Sequence, residues 1–224
     1  MTINNRATSA VATTLGALVG LAGIDHGIFE ILQGPVTPTS LLIAAIGPEQ
    51  KFWMYGEETA LTIIPSFLIS GILSVILGAI VTVWAVGFID SKYGALVLMV
   101  LSIALFLVGG GFAPIVMALI ASLAASRIHK PLKFWRLVLP VPLQKILRWI
   151  WQWVLIAFVL IFVFSVIIAI FGWPLTSYFD DKTAFTHLNT LSFIMVGMML
   201  LAVVSGFAYD IQAQIQSELN THER

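Results

Sequence analysis

The stretch that decides the fold is YGALVLMVLSIALFLVGGGFAPIVMALIASLAAS, residues 93–126. A helix needs roughly 20 residues to cross about 30 Å of hydrocarbon, so this stretch is long for one crossing and short for two. Its middle contains GGGFAP, in which three glycines and Pro114 interrupt the apolar run. The stretch is therefore one tilted helix, two short helices joined at the glycines, or a re-entrant hairpin.

The composition of the whole chain is that of an integral membrane protein. Of its 224 residues, 59% are hydrophobic and 10% are charged, and the mean hydropathy is +1.01. Soluble domains carry about 25% charged residues. Hydrocarbon cannot satisfy free backbone N–H and C=O groups, so spanning segments are helices or closed barrels, and continuous apolar runs favour helices. We expect a single all-α domain, a polytopic helical bundle in the plasma membrane of a prokaryote.

The apolar runs predict six transmembrane helices, with five as the alternative. Their expected ranges are about 10–33, 60–89, 93–108, 112–126, 149–171 and 185–208. The basic segment 126–148 should face the cytoplasm, because cytoplasmic loops carry an excess of Lys and Arg. With a single helix across residues 93–126, the N-terminus would then lie outside, and the loop with Glu57 and Glu58 would lie inside.

The charges of the other loops favour six helices. If residues 93–126 form two helices, both termini are cytoplasmic, and so are the basic residues Arg6, Lys92 and Arg224. The opposite side then receives a group of acidic residues: Glu49, Glu57, Glu58, Asp180 and Asp181. This arrangement agrees with the charge of every loop. At the start of the last helix, Asp180 and Asp181 are expected to be structural caps that stabilise its free N–H groups.

The first predicted helix has glycines along one face. Gly16, Gly20, Gly23 and Gly27 recur at spacings of four, three and four, which places them in one stripe at about 100° per residue. Small residues at this spacing let a neighbouring helix approach closely. The stripe therefore predicts a tight helix contact, and it could also serve as an interface with another membrane subunit or with a second copy of the chain.

The same helix contains GIDHGIFEILQG, residues 23–34, whose ionisable residues are unusual in an apolar run. His26 and Glu30 are one turn apart near the glycine stripe, so their side chains can meet. Asp25 points to the opposite side and is expected to be structural. An ionisable group in a membrane helix costs about 2.5–3.5 kcal/mol or more, and such groups usually face protein. Three residues at a similar depth in the six-helix topology are expected to complete the site: Glu57, Glu58 and His187.

These residues predict a site in the outer half of the membrane that binds or conducts a proton or a metal cation. Carboxylates and imidazoles suit a divalent metal or a proton relay, and two histidines at similar depth could instead hold a b-type haem. A membrane enzyme or redox protein that uses this cluster as ligands is one alternative, and an accessory subunit of a larger membrane complex is the other. Simpler roles are helix caps for Glu57 and Glu58, and a packing lock for Glu30 with His26.

Several classes of function are excluded by what the sequence lacks. The absence of cysteine excludes disulfides, Cys-ligated zinc and iron–sulfur clusters. There is no nucleophile elbow, phosphate-binding glycine loop or dinucleotide fingerprint. The positive-inside rule already explains the basic loop, so we expect the lipid bilayer as a partner and no nucleic acid. The sequence leaves open the solute and whether the protein is an enzyme.

Overall fold

The chain is mainly helical in the computed structural model, which describes residues 3–222, with side chains through residue 219. Within this range the helices are α1 (Arg6–Leu32), α2 (Phe67–Phe88), α3 (Gly94–Leu107), α4 (Phe112–Ala125), α5 (Lys133–Val138), α6 (Val141–Phe171) and α7 (Asp181–His222). Between α1 and α2, the short strands β1 (Leu42–Ala44) and β2 (Thr59–Leu61) pair as an antiparallel hairpin. The expected all-α class is confirmed, with this hairpin as an addition.

The lengths of the helices separate them into two groups. In the described part of the chain, α1, α2, α6 and α7 are long and apolar enough to cross a membrane, which supports a membrane location. α3 and α4 have 14 residues each and so extend about 21 Å at 1.5 Å per residue. They are joined by the short glycine turn at residues 108–111, so GGGFAP ends one helix and begins the next.

α1 contacts α2, α3, α4 and α7 and so occupies the centre of the bundle. Its glycines set the distance to α2. A Cβ atom on Gly27 would lie 2.6 Å from the carbonyl oxygen of Gly71, and a Cβ atom on Gly20 would overlap the carbonyl oxygen of Gly78. Gly71 and Gly78 meet the backbone of α1 in the same way. The two helices therefore touch through backbone atoms at two levels.

The remaining glycines of the stripe contact α3, and Gly16 also lies against Ala85 of α2. A Cβ atom on Gly16 would lie 3.3 Å from the side chain of Leu98, and a Cβ atom on Gly23 would lie 2.6 Å from that of Leu105. Both leucines are buried. The stripe is thus covered by α2 and α3 of the same chain, and the tight contact that it predicts lies within the bundle.

The start of α1 is tied to the ends of α4 and α7. The side-chain amide of Asn5 donates to the carbonyl oxygens of Arg127 and Lys130, at 2.7 and 2.9 Å. Asp210 of α7 is buried and accepts hydrogen bonds from the backbone N–H groups of residues 7 and 8, at 3.2 and 2.8 Å. The β-hairpin follows the opposite end of α1, so the two ends of the bundle are built differently.

The start of α2 differs from the prediction. The helix expected from residue 60 begins at Phe67, because residues 59–61 pair with β1. Pro65 also disfavours helical backbone in the residue before it. Glu57 and Glu58 therefore precede a strand and are not caps of α2.

The segment 126–148 also differs from the prediction, since it contains helical structure where a loop was expected. It includes α5 and the first turns of α6, which begins at Val141. Pro142 lies in the first turn of α6, where its missing N–H costs nothing. The charges in this segment were interpreted as loop markers, but Lys and Arg are good helix formers. α7 begins before the expected span 185–208, at Asp181, and the polar tail continues it to His222, as a helical continuation of the tail was expected.

Candidate functional site

A cavity of about 330 Å³ lies between α1, α4, α6 and α7, beside the segment that leads into β2. Aromatic rings from the loop and from three helices form part of its wall. Its polar side chains come from α1, from the loop and β2, from α6 and from α7: Asp25, His26, Glu57, Glu58, Thr59, Ser165, Asn189 and Ser192. The cavity therefore concentrates polar groups in an otherwise apolar bundle.

An ion pair at this cavity joins α1 to the loop. Nε2 of His26 lies 2.5 Å from Oε2 of Glu58, and the two side chains are 3% and 29% exposed. The hairpin positions Glu58, because the backbone carbonyl oxygen of Glu58 accepts a hydrogen bond from the backbone N–H of Ala45, at 2.8 Å. Burial alone would raise the pKa of Glu58, but the charge of His26 and its hydrogen bond outweigh burial and lower the pKa below its usual value. Glu58 is therefore a carboxylate at neutral pH.

Glu30, one turn further along α1, is completely buried, and neither of its carboxyl oxygens has a hydrogen-bond partner. The neighbouring hydroxyl of Ser70 donates instead to the carbonyl oxygen of Val108, at 2.8 Å. Most buried polar groups have a partner, because an unsatisfied one costs about 1–3 kcal/mol. Among the described residues, Glu30 is thus a fully buried acid without an ion pair, and the Ser70 hydroxyl is a neighbouring group that can donate to it.

The turn between α3 and α4 closes over both α1 side chains. At Gly109 the backbone angle φ is +107°, and a Cβ atom there would overlap the carboxyl group of Glu30. At Gly111 φ is +81°, and a Cβ atom would lie 2.5 Å from Cε1 of the His26 ring. Glycine accepts such angles and such close approach without strain. GGGFAP and the ionisable motif of α1, which are far apart in the sequence, therefore form one site.

Two of the expected relationships around His26 are corrected by the structure. His26 was predicted to pair with Glu30, whereas its ion pair is with Glu58. Asp25 was predicted to point away from the site, but it lines the same cavity as His26 and Ala22. Ala22, Asp25 and His26 occupy positions i, i+3 and i+4 and therefore lie on one face of α1. The cavity extends across this face. Asp25 is therefore part of the site.

The other two predicted ligands differ in position. Glu57 lines the cavity and also forms an ion pair with Lys51. His187 is exposed on α7, where its ring packs 4.8 Å from the ring of Phe179, and it is not part of the cavity wall. The structure thus brings Glu57 to His26 and Glu58 but leaves His187 outside.

The two aspartates before and at the start of α7 also lie outside the cavity wall. Asp180 accepts a hydrogen bond from the backbone N–H of Thr183, at 3.0 Å, which is the geometry of a helix N-cap. The hydrogen bonds from Thr183 lower the pKa of Asp180. Asp181 is the first residue of the helix. A structural role is sufficient to explain both.

Four polar residues of the cavity were not anticipated from the sequence. They are Thr59 of β2, Ser165 of α6, and Asn189 and Ser192 of α7. The Ser165 hydroxyl is buried and has no hydrogen-bond partner. A single polar residue inside an apolar run is the signal that could have indicated it. Within residues 3–222, no three His, Asp or Glu side chains converge in a way that could hold a metal ion.

Comparison with known proteins gives no assignment. No family model, curated protein or solved structure matches this chain. The geometry of the cavity is therefore the basis for a functional hypothesis.

Proposed function

We propose that this chain is a six-span membrane protein with both termini in the cytoplasm, and that its outward-facing cavity exchanges protons with a buried acid. His26 and Glu58 are the exchanging pair at the cavity, and Glu30 is the acid that takes up and releases the proton. The observation that carries this function is the complete burial of Glu30 without a hydrogen-bond partner.

The distribution of charge supports the orientation. Arg127 and Lys130, in the connection after α4, lie beside the start of α1. The cavity lies toward the other end of α1, beside the segment that leads into β2. The positive-inside rule assigns the basic end to the cytoplasm and therefore the cavity to the outside.

The contribution of α3 and α4 to the six spans is supported by their contact with the hairpin segment. Each helix alone is shorter than the hydrocarbon layer, which is about 30 Å thick. Thr62, next to β2, forms a bridge with Val108 at the end of α3. The hairpin segment thus lies against the end of α3 at the glycine turn, and we propose that the two together complete these spans.

A proton suits this site better than a metal ion. A charged carboxylate in a membrane helix costs about 2.5–3.5 kcal/mol or more, and burial without a partner favours the neutral acid. A metal ion would need several ligands around it, and the described residues offer no cluster of three. Glu58 is partly exposed at the cavity, His26 contacts it, and Glu30 lies one turn away on the same helix. These three groups give a proton a short route from the cavity to the buried acid.

The alternative functions have less support. A haem with two histidine ligands would need His187 near His26, but His187 is exposed on α7 and packs on Phe179. The hypothesis of an accessory subunit, which the small size and short loops of the chain favoured, placed its partner interface at the glycine stripe of α1, and α2 and α3 cover that stripe. No observation favours a second candidate function.

The proton site can be tested by infrared difference spectroscopy of the purified protein in lipid during a pH jump. We expect the band of a protonated carboxyl group in an apolar environment, and we expect Glu30→Gln to remove it. Glu49→Gln is the matched control, because Glu49 is exposed and does not line the cavity, and it should leave the band unchanged. A spectrum that Glu30→Gln does not change, in a variant that folds normally, would overturn the proposal.

The sidedness of the loops on either side of α1, α2 and α6 has its own test, because the chain contains no cysteine. Single cysteines can replace the exposed residues Thr37, Ser91, Lys130 and Tyr178. In intact cells, a membrane-impermeant maleimide should label Thr37→Cys and Tyr178→Cys but not Ser91→Cys or Lys130→Cys. Labelling of Thr37→Cys and Lys130→Cys from the same side would contradict the topology.

A further inference from the structure

A second concave site lies at the opposite end of the bundle, near the start of α6. It has a volume of about 660 Å³ and is bounded by α6 and by Tyr209 of α7. We call it the α6–α7 cleft, and its wall consists of three tryptophans of α6 together with Lys145, Arg148, Gln152 and Tyr209. The neighbouring Asp210 bonds to the start of α1. The cleft is therefore at the basic end of α1, away from the cavity at His26.

The polar side chains of the cleft are all hydrogen-bond donors. Lys145 supplies an ammonium group and Arg148 a guanidinium, while Gln152 and Tyr209 supply an amide and a phenol hydroxyl. Among the described residues, no acidic side chain lines the cleft, and neither Lys145 nor Arg148 forms an ion pair. The cleft thus carries two positive charges that no described carboxylate balances, and its ligand should be an anion.

The cleft lies at the depth of the lipid headgroups. Residues 152–171 of α6 are 20 residues without a charged side chain, which is enough to cross about 30 Å of hydrocarbon. Arg148 and Lys145 precede this stretch, so at 1.5 Å per residue they lie about 6 and 10 Å beyond residue 152. The headgroup layer is about 5–8 Å thick on each side. On α7, the apolar run 185–208 ends directly before Tyr209, which places the cleft at the same boundary.

An exposed apolar stripe leads from the cleft toward the middle of α6. Its residues recur at spacings of four, three and four and so share one helix face. They are all exposed: Trp149, Trp153, Ile156 and Leu160. The two tryptophans also belong to the wall of the cleft. The stripe therefore gives an acyl chain a continuous apolar surface that begins where the charged part of the cleft ends.

The two cations also select among headgroups that contain phosphate. A guanidinium binds phosphate through two parallel N–H···O bonds, and an ammonium group binds it as a point charge. The tryptophan rings could attract the quaternary ammonium of phosphatidylcholine, but Lys145 and Arg148 would repel it. A headgroup with a phosphate and no cation, such as that of phosphatidylglycerol, avoids this repulsion. A free phosphate ion would use the same donors and leave the apolar stripe unused.

We propose that the α6–α7 cleft binds an anionic phospholipid, with its phosphate at Lys145 and Arg148 and an acyl chain along the stripe. The bound lipid balances the charge of the cleft and contacts both α6 and α7. The positive-inside rule assigns this end of the bundle to the cytoplasm, where anionic lipids attract basic segments. The lipid site does not depend on the proposed proton exchange, because the two sites share no residue.

Native mass spectrometry of the protein released from lipid nanodiscs tests the ligand class. The nanodiscs contain equal amounts of phosphatidylglycerol and phosphatidylcholine with the same acyl chains, and the measured quantity is the lipid that stays bound to the protein. We expect one phosphatidylglycerol to be retained in preference to phosphatidylcholine. Retention of the two lipids in the ratio of the nanodisc would overturn the proposal.

Two double variants separate the cleft from the general positive charge of this end of the bundle. Lys145→Gln/Arg148→Gln removes the cations of the cleft, and Arg127→Gln/Lys133→Gln removes the same charge from residues that do not line it. All four residues are exposed, and glutamine is a good helix former, so both proteins should fold. Each hydrogen-bonded contact with the phosphate contributes about tenfold or more.

Titration of the phosphatidylglycerol content of the nanodiscs gives the affinity of each protein. We expect Lys145→Gln/Arg148→Gln to bind this lipid about a hundredfold more weakly than the natural protein. Arg127→Gln/Lys133→Gln changes only the general surface charge and should weaken binding by about fivefold or less. Equal losses in the two double variants would refute the assignment to the cleft.

Soluble phosphates distinguish a lipid from a free anion. The same nanodiscs are incubated with inorganic phosphate or with glycerol phosphate before the mass measurement. We expect phosphatidylglycerol to remain bound, because neither ion can occupy the apolar stripe. Displacement of the lipid by either ion at millimolar concentration would show that the cleft binds a free phosphate and would refute the lipid site.

Discussion

Replacing Gly27 by alanine tests the packing that holds the site together. The added Cβ atom would lie 2.6 Å from the carbonyl oxygen of Gly71 and 2.9 Å from the backbone nitrogen of Val75. Because both are backbone atoms, α1 and α2 must separate to admit the methyl group, and such overpacking costs about 1–3 kcal/mol. Alanine recovers about 1 kcal/mol through its higher helix propensity. The free energy of unfolding should therefore fall by about 0–2 kcal/mol.

Gly197→Ala is the matched control, because a Cβ atom on Gly197 of α7 has no other atom within 4 Å. Both variants gain the same helix propensity, so the difference between their free energies of unfolding isolates the overpacking cost of about 1–3 kcal/mol. The measurement is equilibrium unfolding of the purified protein by SDS in mixed micelles. Equal stability of the two variants would refute the backbone contact between α1 and α2.

The same substitution should also disturb the cavity. Gly27 follows His26 in α1, and α2 follows the hairpin segment that carries Glu58. If α2 moves away from α1, the ion pair between His26 and Glu58 lengthens. We therefore expect Gly27→Ala to weaken the infrared signal of proton exchange, whereas Gly197→Ala should leave it unchanged. An intact signal in a destabilised Gly27→Ala protein would show that the site does not depend on this contact.

Two further substitutions test contacts at opposite ends of α1. Glu58→Gln should lower the free energy of unfolding at neutral pH by about 1–3 kcal/mol. Because the folded pKa of Glu58 is lowered, its contribution is present above the ordinary carboxyl pKa and is lost as pH falls through the folded pKa. Unfolding at a series of pH values should therefore show the two proteins converging in acid; a constant gap would contradict the ion pair with His26. Asp210→Ala should cost about 0.5–2 kcal/mol, because the carboxylate accepts hydrogen bonds from the first turn of α1. Glu218→Ala, which breaks an exposed ion pair with Arg136, should have almost no effect in the same assay, and an equal loss in both would contradict the capping role of Asp210.

The sequence predicts the helices because apolar runs and their interruptions are local signals. The glycines of GGGFAP divide residues 93–126 into α3 and α4 at the expected place. The start of α2 could not be predicted in the same way. Residues 59–61 are apolar enough to continue a helix, but they pair with residues 42–44, and this pairing is fixed by tertiary contacts.

The candidate site is predictable only in part for the same reason. His26 and Glu30 are visible in the sequence as ionisable groups within an apolar run, and helical spacing suggests that they pair. The actual partner of His26 is Glu58, which the hairpin brings over α1. The role of Gly109 could not be predicted from the sequence either, because its positive φ and its close approach to Glu30 depend on where the turn packs.

The missing partner of Glu30 separates a functional explanation from a structural one. A packing lock stabilises a bundle through hydrogen bonds or an ion pair, and buried ionisable residues without such partners reduce stability. His26 already has Glu58 as its partner, and both oxygens of Glu30 have none. The turn that covers Glu30 is built from a glycine that leaves no room for a methyl group. The chain thus holds a fully buried acid in a space shaped to enclose it, and this arrangement is the basis for the proposed proton exchange.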